Sequence, residues 1–247
     1  MALPTTGPLS LNQIHVEVDG TSGTICSLND PDIRSLLNPD KGANQANSIS
    51  EYRGASHTVT FTYALIGGGG GGGHGLDGGA GGVRGATGGT SSISGSGFST
   101  VSASGAIGGR SGHFHPAINT SDKDGDASVY GAGGGRGANT DIGGQGFGSD
   151  APSSSYGAGG GGGGGDLANS KIDSTGFAGE GGGASTRVTG TITVASGTTI
   201  TVTIGGGGAG RFHGTYGGGD GAAGYATITA NGVTTPFTSS GTITLTG

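Results

Sequence analysis

His57-Thr-Val-Thr-Phe-Thr-Tyr-Ala-Leu-Ile66 runs without a break into seven glycines, Gly67 to Gly73. Val59, Phe61, Tyr63 and Leu65 alternate with Thr58, Thr60 and Thr62, which predicts a strand with one apolar and one hydroxyl-bearing face. The glycines that follow have no side chains to bury, so whatever orders them must act through the backbone. That junction sets the problem for the whole chain. Glycine supplies 65 of the 247 residues, against a usual share of about 7%. Between Gly67 and Tyr225 there are 57. Apolar residues make up 30% of the chain and Trp is absent, so no side-chain core in proportion to this length is expected.

Such a composition ordinarily reads as disorder, because glycine loses more conformational freedom on folding than any other residue. Charged residues are only 11% of the chain, however, whereas disordered chains are usually highly charged. Backbone hydrogen bonding is the remaining force that can offset the entropy. A glycine run can adopt the extended three-fold helix of polyproline II type, which makes no internal hydrogen bonds. Lacking Cβ atoms, several such helices can pack backbone to backbone, each donating N–H to one neighbour and accepting from another. The runs Gly67–Gly73 and Gly159–Gly165 are therefore expected to lie side by side in a polyglycine-II-type bundle; the alternative is flexible linker. No strict Gly-X-Y period is present, which excludes a collagen triple helix.

The termini read more conventionally. In residues 1–56, Ser10-Leu-Asn-Gln13 and Ser48-Ile-Ser-Glu51 are capping boxes. His15-Val-Glu-Val18 alternates as a short strand would, and Asn29-Asp30-Pro31-Asp32 opens a helix carrying Ile33, Leu36 and Leu37. With Tyr52 these form a small core of short helices and turns. Near the C-terminus, strands are expected over 187–194, 198–204, 225–230, 233–238 and 242–246. Asn231-Gly232 is a strong hairpin signal, and Pro236 suits an edge strand. The predicted fold is mainly β and irregular: an N-terminal module over 1–56, then a glycine-rich domain over 57–247. In that domain the strands 57–66, 187–204 and 225–246 close the glycine runs and loops of 67–224.

Enzyme chemistry is poorly supplied. Gly-X-Gly-X-X-Gly recurs through composition alone. None of Lys41, Lys123 or Lys171 follows a glycine, as a phosphate-binding loop requires. No Ser, His and Asp spacing selects a triad, and the composition offers little for a rigid apolar pocket; the chain is expected not to be an enzyme. A net charge of −6 with scattered Lys and Arg argues against nucleic acid. No apolar run approaches membrane-spanning length. The first residues lack a basic region and a hydrophobic stretch, so no signal peptide is expected. Cys26 stands alone, which excludes an internal disulfide and fits synthesis in a reducing cytoplasm.

Two constellations could bind ions. Asp122, Asp124 and Asp126 alternate as in a calcium loop, but Ala127 and Gly133 stand where an EF-hand has glycine and glutamate; the alternative is a polar turn. His113 and His115, on either side of Phe114, point the same way if extended. Three chains about an axis would gather six imidazoles, a donor set that suits a transition metal. The alternative is an exposed loop with an aromatic tip.

Ser10-Leu-Asn-Gln-Ile-His-Val-Glu-Val18 and Ser48-Ile-Ser-Glu-Tyr-Arg-Gly-Ala-Ser56 resemble the N-terminal module of tailed-bacteriophage tail proteins, with Gln13 in place of an acidic residue and Arg53 in place of a second aromatic. The strand entering Gly67 and the segment Ala195-Ser-Gly-Thr-Thr-Ile-Thr-Val-Thr-Ile-Gly205 resemble the glycine-rich domains of phage tail fibres and tip adhesins. Together these cover nearly the whole chain. The resemblance implies a virion tail protein made in the host cytoplasm. Residues 1–56 would join other virion proteins, and the glycine-rich domain would meet a host receptor, either glycan or outer-membrane protein. A homo-oligomer, a trimer among the options, is implied. Loops at the end of the bundle remote from the module would carry recognition through His113, Phe114, His115, Asn119, Tyr130, Phe147 and Tyr156, an adaptable mix of aromatic and polar groups. The rival readings are a decoration or collar protein of the same virion and an ice-binding protein built from glycine helices.

Overall fold

The computed structural model describes residues 2–37, 46–73, 84–110, 128, 133, 150–158, 181–213 and 216–246. The chain is mainly β. Among the described residues the elements are helices α1 (Leu11–Glu17) and α2 (Pro31–Arg34), a 3-10 turn (Ile49–Tyr52), and ten strands. The strands are β1 (Thr58–Ile66), β2 (Ser91–Gly95), β3 (Phe98–Ala103), β4 (Arg187–Ala195), β5 (Thr198–Thr203), β6 (Phe212–His213), β7 (Tyr216–Gly217), β8 (Tyr225–Ala230), β9 (Val233–Phe237) and β10 (Gly241–Leu245).

Both capping boxes are present, with Ser10 Oγ accepting from Gln13 N and Gln13 Oε1 accepting from Ser10 N. The first nucleates more than one turn. The helix runs on through His15, Val16 and Glu17, where alternation had predicted a strand. A capping box supplies partners for donors that a helix end leaves orphaned, and Ile14 and Val18 at i, i+4 drop onto one buried face. Around them Leu3, Ile33, Leu36, Leu37 and Tyr52 form the core of this N-terminal part.

The strands build two four-stranded antiparallel sheets, in the orders β4-β1-β8-β9 and β10-β5-β2-β3. Their apolar faces meet. Val59, Phe61 and Leu65 of β1, Val194 of β4 and Ile228 of β8 pack with Ile93, Ile200, Val202 and Leu245 of the other sheet. Phe61 and Phe98 touch edge to face across the layers, with ring centroids 6.0 Å apart. The outer faces carry hydroxyls: Thr62 sits between Thr191 and Thr229, and Thr229 in turn opposite Thr234. Thr60 and Thr193 oxygens lie 2.7 Å apart and Thr229 and Thr234 oxygens 2.8 Å apart, a cross-strand pairing that suits threonine. Asn231 (φ 51) and Gly232 (φ 76) make the β8–β9 turn, the left-handed pair a two-residue hairpin requires. Pro236 lies in the edge strand β9, where its missing N–H costs nothing.

The β2–β3 hairpin was not anticipated. Ser91-Ser-Ile-Ser-Gly-Ser-Gly-Phe-Ser-Thr-Val-Ser-Ala103 sits inside the glycine-rich stretch and carries few apolar residues, yet Ile93 and Ala103 are fully buried. The signal was there in faint form: Ile93 and Val101 face each other across a Ser-Gly turn whose Gly97 has φ +90.

The N-terminal part is fastened to the end of the sandwich formed by the start of β1 and the β4–β5 turn. Glu17 Oε1 accepts from Ser56 Oγ and from His57 N, at 3.2 and 3.1 Å. Asp19, held at φ 62, accepts Ser196 Oγ and lies 3.2 Å from His57 Nδ1. Asp19→Ala removes these acceptors and leaves a poorly tolerated left-handed residue, so it should loosen the junction by about 1–2 kcal/mol. Limited proteolysis between residues 20 and 57 should become faster than in wild type, while Asp19→Asn, which tolerates this backbone and keeps one acceptor, should lie between.

Candidate functional site

Every long strand of the sandwich except β9 and β10 continues, at the end remote from residues 1–56, into a glycine-rich segment that is neither strand nor helix. β1 leads into 67–73, β3 into 104–110 and β5 into 204–211, while 84–90 leads into β2, 181–186 into β4 and 218–224 into β8. These six segments are bonded to one another through their backbones.

Segment 67–73 is the hub, and all seven of its glycines are buried. Its partners recur every third residue. Gly68 and Gly71 donate to Gly89 and Ala86, Gly69 and Gly72 donate to Ala222 and Gly219, and Gly70 donates to Gly183, at 2.8 to 3.0 Å. Descending partner numbers make the segments 84–90 and 218–224 antiparallel to the hub. On the acceptor side, Ala106 and Gly109 donate to Gly68 and Gly71, while Gly208 and Arg211 donate to Gly69 and Gly72, so 104–110 and 205–211 run parallel to it. The neighbours also bond among themselves, as in Gly85 to Gly109, Ala86 to Ala209 and Gly221 to Gly208.

This spacing explains where glycine is required. A Cβ on any residue from Gly67 to Gly71 would come within 3.0 Å of a backbone carbonyl of a neighbouring segment. In segments 84–90 and 104–110 a Cβ would strike a neighbouring carbonyl at every third residue: Gly85 and Gly88 abut Gly71 and Gly68, and Gly105 and Gly108 abut Gly88 and Gly85; in 205–211 the demand falls on Gly205, Gly207, Gly208 and Gly210. Residues between them, Ala86, Thr87 and Ile107, turn outward and are exposed. Among the six described segments only the hub is glycine throughout. Where this array meets the sandwich, buried Ser185 Oγ donates to Gly68 O at 2.7 Å and buried Ser91 Oγ accepts from Gly205 N at 3.0 Å.

The sequence-predicted site residues fall unevenly on this frame. Gly67 and Gly73 lie in the hub. Tyr156 is half-buried, and its ring stacks on Tyr225 at 4.5 Å, alongside Gly157, which packs against Ile66. In this position Tyr156 helps cover the flank where the sheet passes into the array. His113, Phe114, His115, Asn119, Asp122, Asp124, Asp126, Tyr130, Phe147, Gly159 and Gly165 lie outside the described residues. Among the described residues, no group of three or more His, Cys, Asp or Glu is placed to hold a metal ion, and no helix is long and apolar enough to cross a membrane.

The end of the array remote from residues 1–56 carries the small β6–β7 hairpin, where Phe212 is 65% exposed. Its base is tied by Asp220, whose Oδ1 accepts from Gly210 N at 2.6 Å and whose N–H donates to Asp150 Oδ1 at 2.7 Å. Arg84, Arg110 and Arg211 stand at the same end, each exposed and each the residue of its segment farthest from the sandwich. The sequence matches no protein-family model, and comparison with curated proteins and with solved structures finds no match.

Proposed function

We propose that this chain is a bacteriophage tail protein, a fibre or tail-tip adhesin that joins the virion through residues 1–56 and meets the host surface with the far end of a polyglycine-II-type bundle. In this reading each glycine segment is a helix of three residues per turn rising about 3.1 Å per residue, so seven residues span roughly 22 Å. The three-residue recurrence of partners around Gly68 to Gly72 supports the helical assignment. The observation that carries the function is polarity. The N-terminal part is fastened to one end of the sandwich by Glu17 and Asp19, and the chain leaves the array at the other after Gly73 and after Arg110, the latter for its longest connection. A bundle held by its own backbone lets those connections vary without disturbing a side-chain core.

The test is made on virions. Replacing residues 113–115 with Ser-Gly-Ser should abolish adsorption to host cells while particles still assemble. Starting the chain at His57 should leave a folded domain that is missing from purified particles. Normal adsorption by the loop variant takes that loop out of the receptor site. Localisation of the chain to the head, not the distal tail, would replace the adhesin reading with that of a decoration protein.

A further inference from the structure

Among the described residues, Arg34 is the only Lys or Arg that is buried, with 8% of its surface exposed. A guanidinium does not shed its charge on burial, and a buried charge is ordinarily paired and hydrogen-bonded. Arg34 makes one side-chain hydrogen bond, from Nη1 to Asn29 Oδ1 at 2.9 Å. Its Nε is enclosed and has no acceptor. The described carboxylates of the N-terminal part are turned elsewhere. Asp30 Oδ2 accepts from Ser27 N at 2.8 Å and Glu51 Oε2 from Ser48 N at 2.8 Å. Glu17 and Asp19 hold the junction with the sandwich, and Asp32 is exposed. None of these makes an ion pair with Arg34. The backbone fixes the place of this charge. Arg34 closes α2, its N–H donating to Asp30 O and its C=O accepting from Leu37 N, between the core residues Ile33 and Leu36. Asn29 is exposed, so the Nη1 end of the guanidinium lies at the rim of the module, with Nε enclosed behind it.

We infer that Arg34 is a socket for an acidic side chain, Asp or Glu, of the virion protein to which residues 1–56 attach. A guanidinium is a planar fork that pairs with a carboxylate through two hydrogen bonds, and one carboxylate neutralises it. A phosphate monoester, with close to two charges, would also meet Asp30 and Asp32 at the start of the same helix, so a single carboxylate suits the site better. Docking would supply the counter-charge that the free chain lacks and would bury the pair away from water. The inference rests on the attachment reading for the protein that carries the carboxylate; the socket itself stands on the burial and bonding of Arg34.

The probe is the peptide acetyl-Gly-Glu-Gly-amide. Acetyl-Gly-Gln-Gly-amide is the uncharged control, and acetyl-Gly-Gly-Gly with a free terminal carboxylate is the rival source. Added to the full-length protein, the Glu peptide should shift the Arg34 Nε–H signal in NMR spectra, identified by its loss in Arg34→Met. It should also raise the melting temperature by about 2–4 °C once several-fold above its dissociation constant. The Gln peptide should do neither, and Arg34→Met should respond to no peptide. Without peptide, Arg34→Met should melt at or above wild type, because it keeps an unbranched stem and removes an uncompensated buried charge. Melting well below wild type overturns the socket, since the charge would then serve the module's own fold. An equal response of wild type and Arg34→Met to the Glu peptide overturns it too, and a response to the terminal carboxylate alone overturns the side-chain source. In virions, Arg34→Met should be incorporated about ten-fold less than wild type or lower, with Arg34→Lys, which keeps the charge without the fork, between them. Normal incorporation of Arg34→Met, while the chain starting at His57 is missing from particles, removes the socket and leaves the attachment reading. Entry of that truncated chain into particles, while wild type binds the Glu peptide, removes the attachment reading and leaves the acidic-peptide site.

Discussion

Gly69→Val is expected to unfold the glycine-rich domain. A Cβ at this position would collide with the carbonyl of Ala158, closer than side-chain carbons approach backbone oxygens. The obstacle is another main chain, not the far end of a flexible side chain, so nothing can swing aside. Gly69 also donates to Ala222 and accepts from Gly208, and pushing the segments apart strains both bonds together with those of Gly68 and Gly70. Ordinary overpacking costs about 1–3 kcal/mol. With buried backbone bonds lost as well, each worth about 1–3 kcal/mol when left unsatisfied, the total should exceed about 4 kcal/mol, a large part of the stability of a domain. Gly206→Ala is the control. A Cβ there meets nothing within 4 Å, although Gly206 O accepts from Gly89 N at 2.7 Å. That variant should melt at or slightly above the wild-type temperature, because alanine restricts the unfolded chain. Thermal denaturation of the pair followed by circular dichroism decides whether backbone contact or mere composition holds the array. Wild-type melting in Gly69→Val would refute the close packing.

Phe61→Ala should be nearly as damaging by a different route. Phe61 is fully buried, lies in the middle of β1 between Ile192 and Ala230, and meets Phe98 of the facing sheet edge to face. Removing it opens a cavity where the two sheets touch, at a cost of about 3–5 kcal/mol. Because β1 continues straight into the hub at Gly67, loss of sandwich packing should also release the array. Urea unfolding should therefore remain one transition, shifted to lower concentration, when followed by both aromatic fluorescence and hydrogen exchange of Gly68 to Gly72. Exchange of those glycines unchanged while fluorescence shifts would show that the array is held independently of the sandwich.

The two variants separate what was legible in the sequence from what was not. Alternation in Thr58–Ile66 and around Asn231-Gly232 identified β1, β8 and β9, because a half-buried strand writes its two faces into alternate residues. The capping boxes at Ser10 and Ser48 were equally local. The reading of His15–Val18 as a strand failed because four residues fit either period, and burial of Ile14 and Val18 on one helical face decided the matter. The β2–β3 hairpin was missed since serine dominates it. Its burial comes from the facing sheet, which no local pattern reports. Composition singled out Tyr156, but its stacking on Tyr225 depends on a neighbour 69 residues away and was not legible locally.

The sequence by itself determined that order in the glycine-rich part must come from the backbone, since a run without side chains has only N–H and C=O groups with which to bind anything. It also determined the conventional strands, through the period of two that a sheet imposes. Tertiary structure alone decided which segment is the hub, which neighbours run parallel to it, and that Arg84, Arg110 and Arg211 end side by side. Glycine carries no chemical label that distinguishes one run from another. Partner and register are therefore fixed by the sandwich strands that feed each segment into the array and by the residues that must leave room for a neighbouring carbonyl.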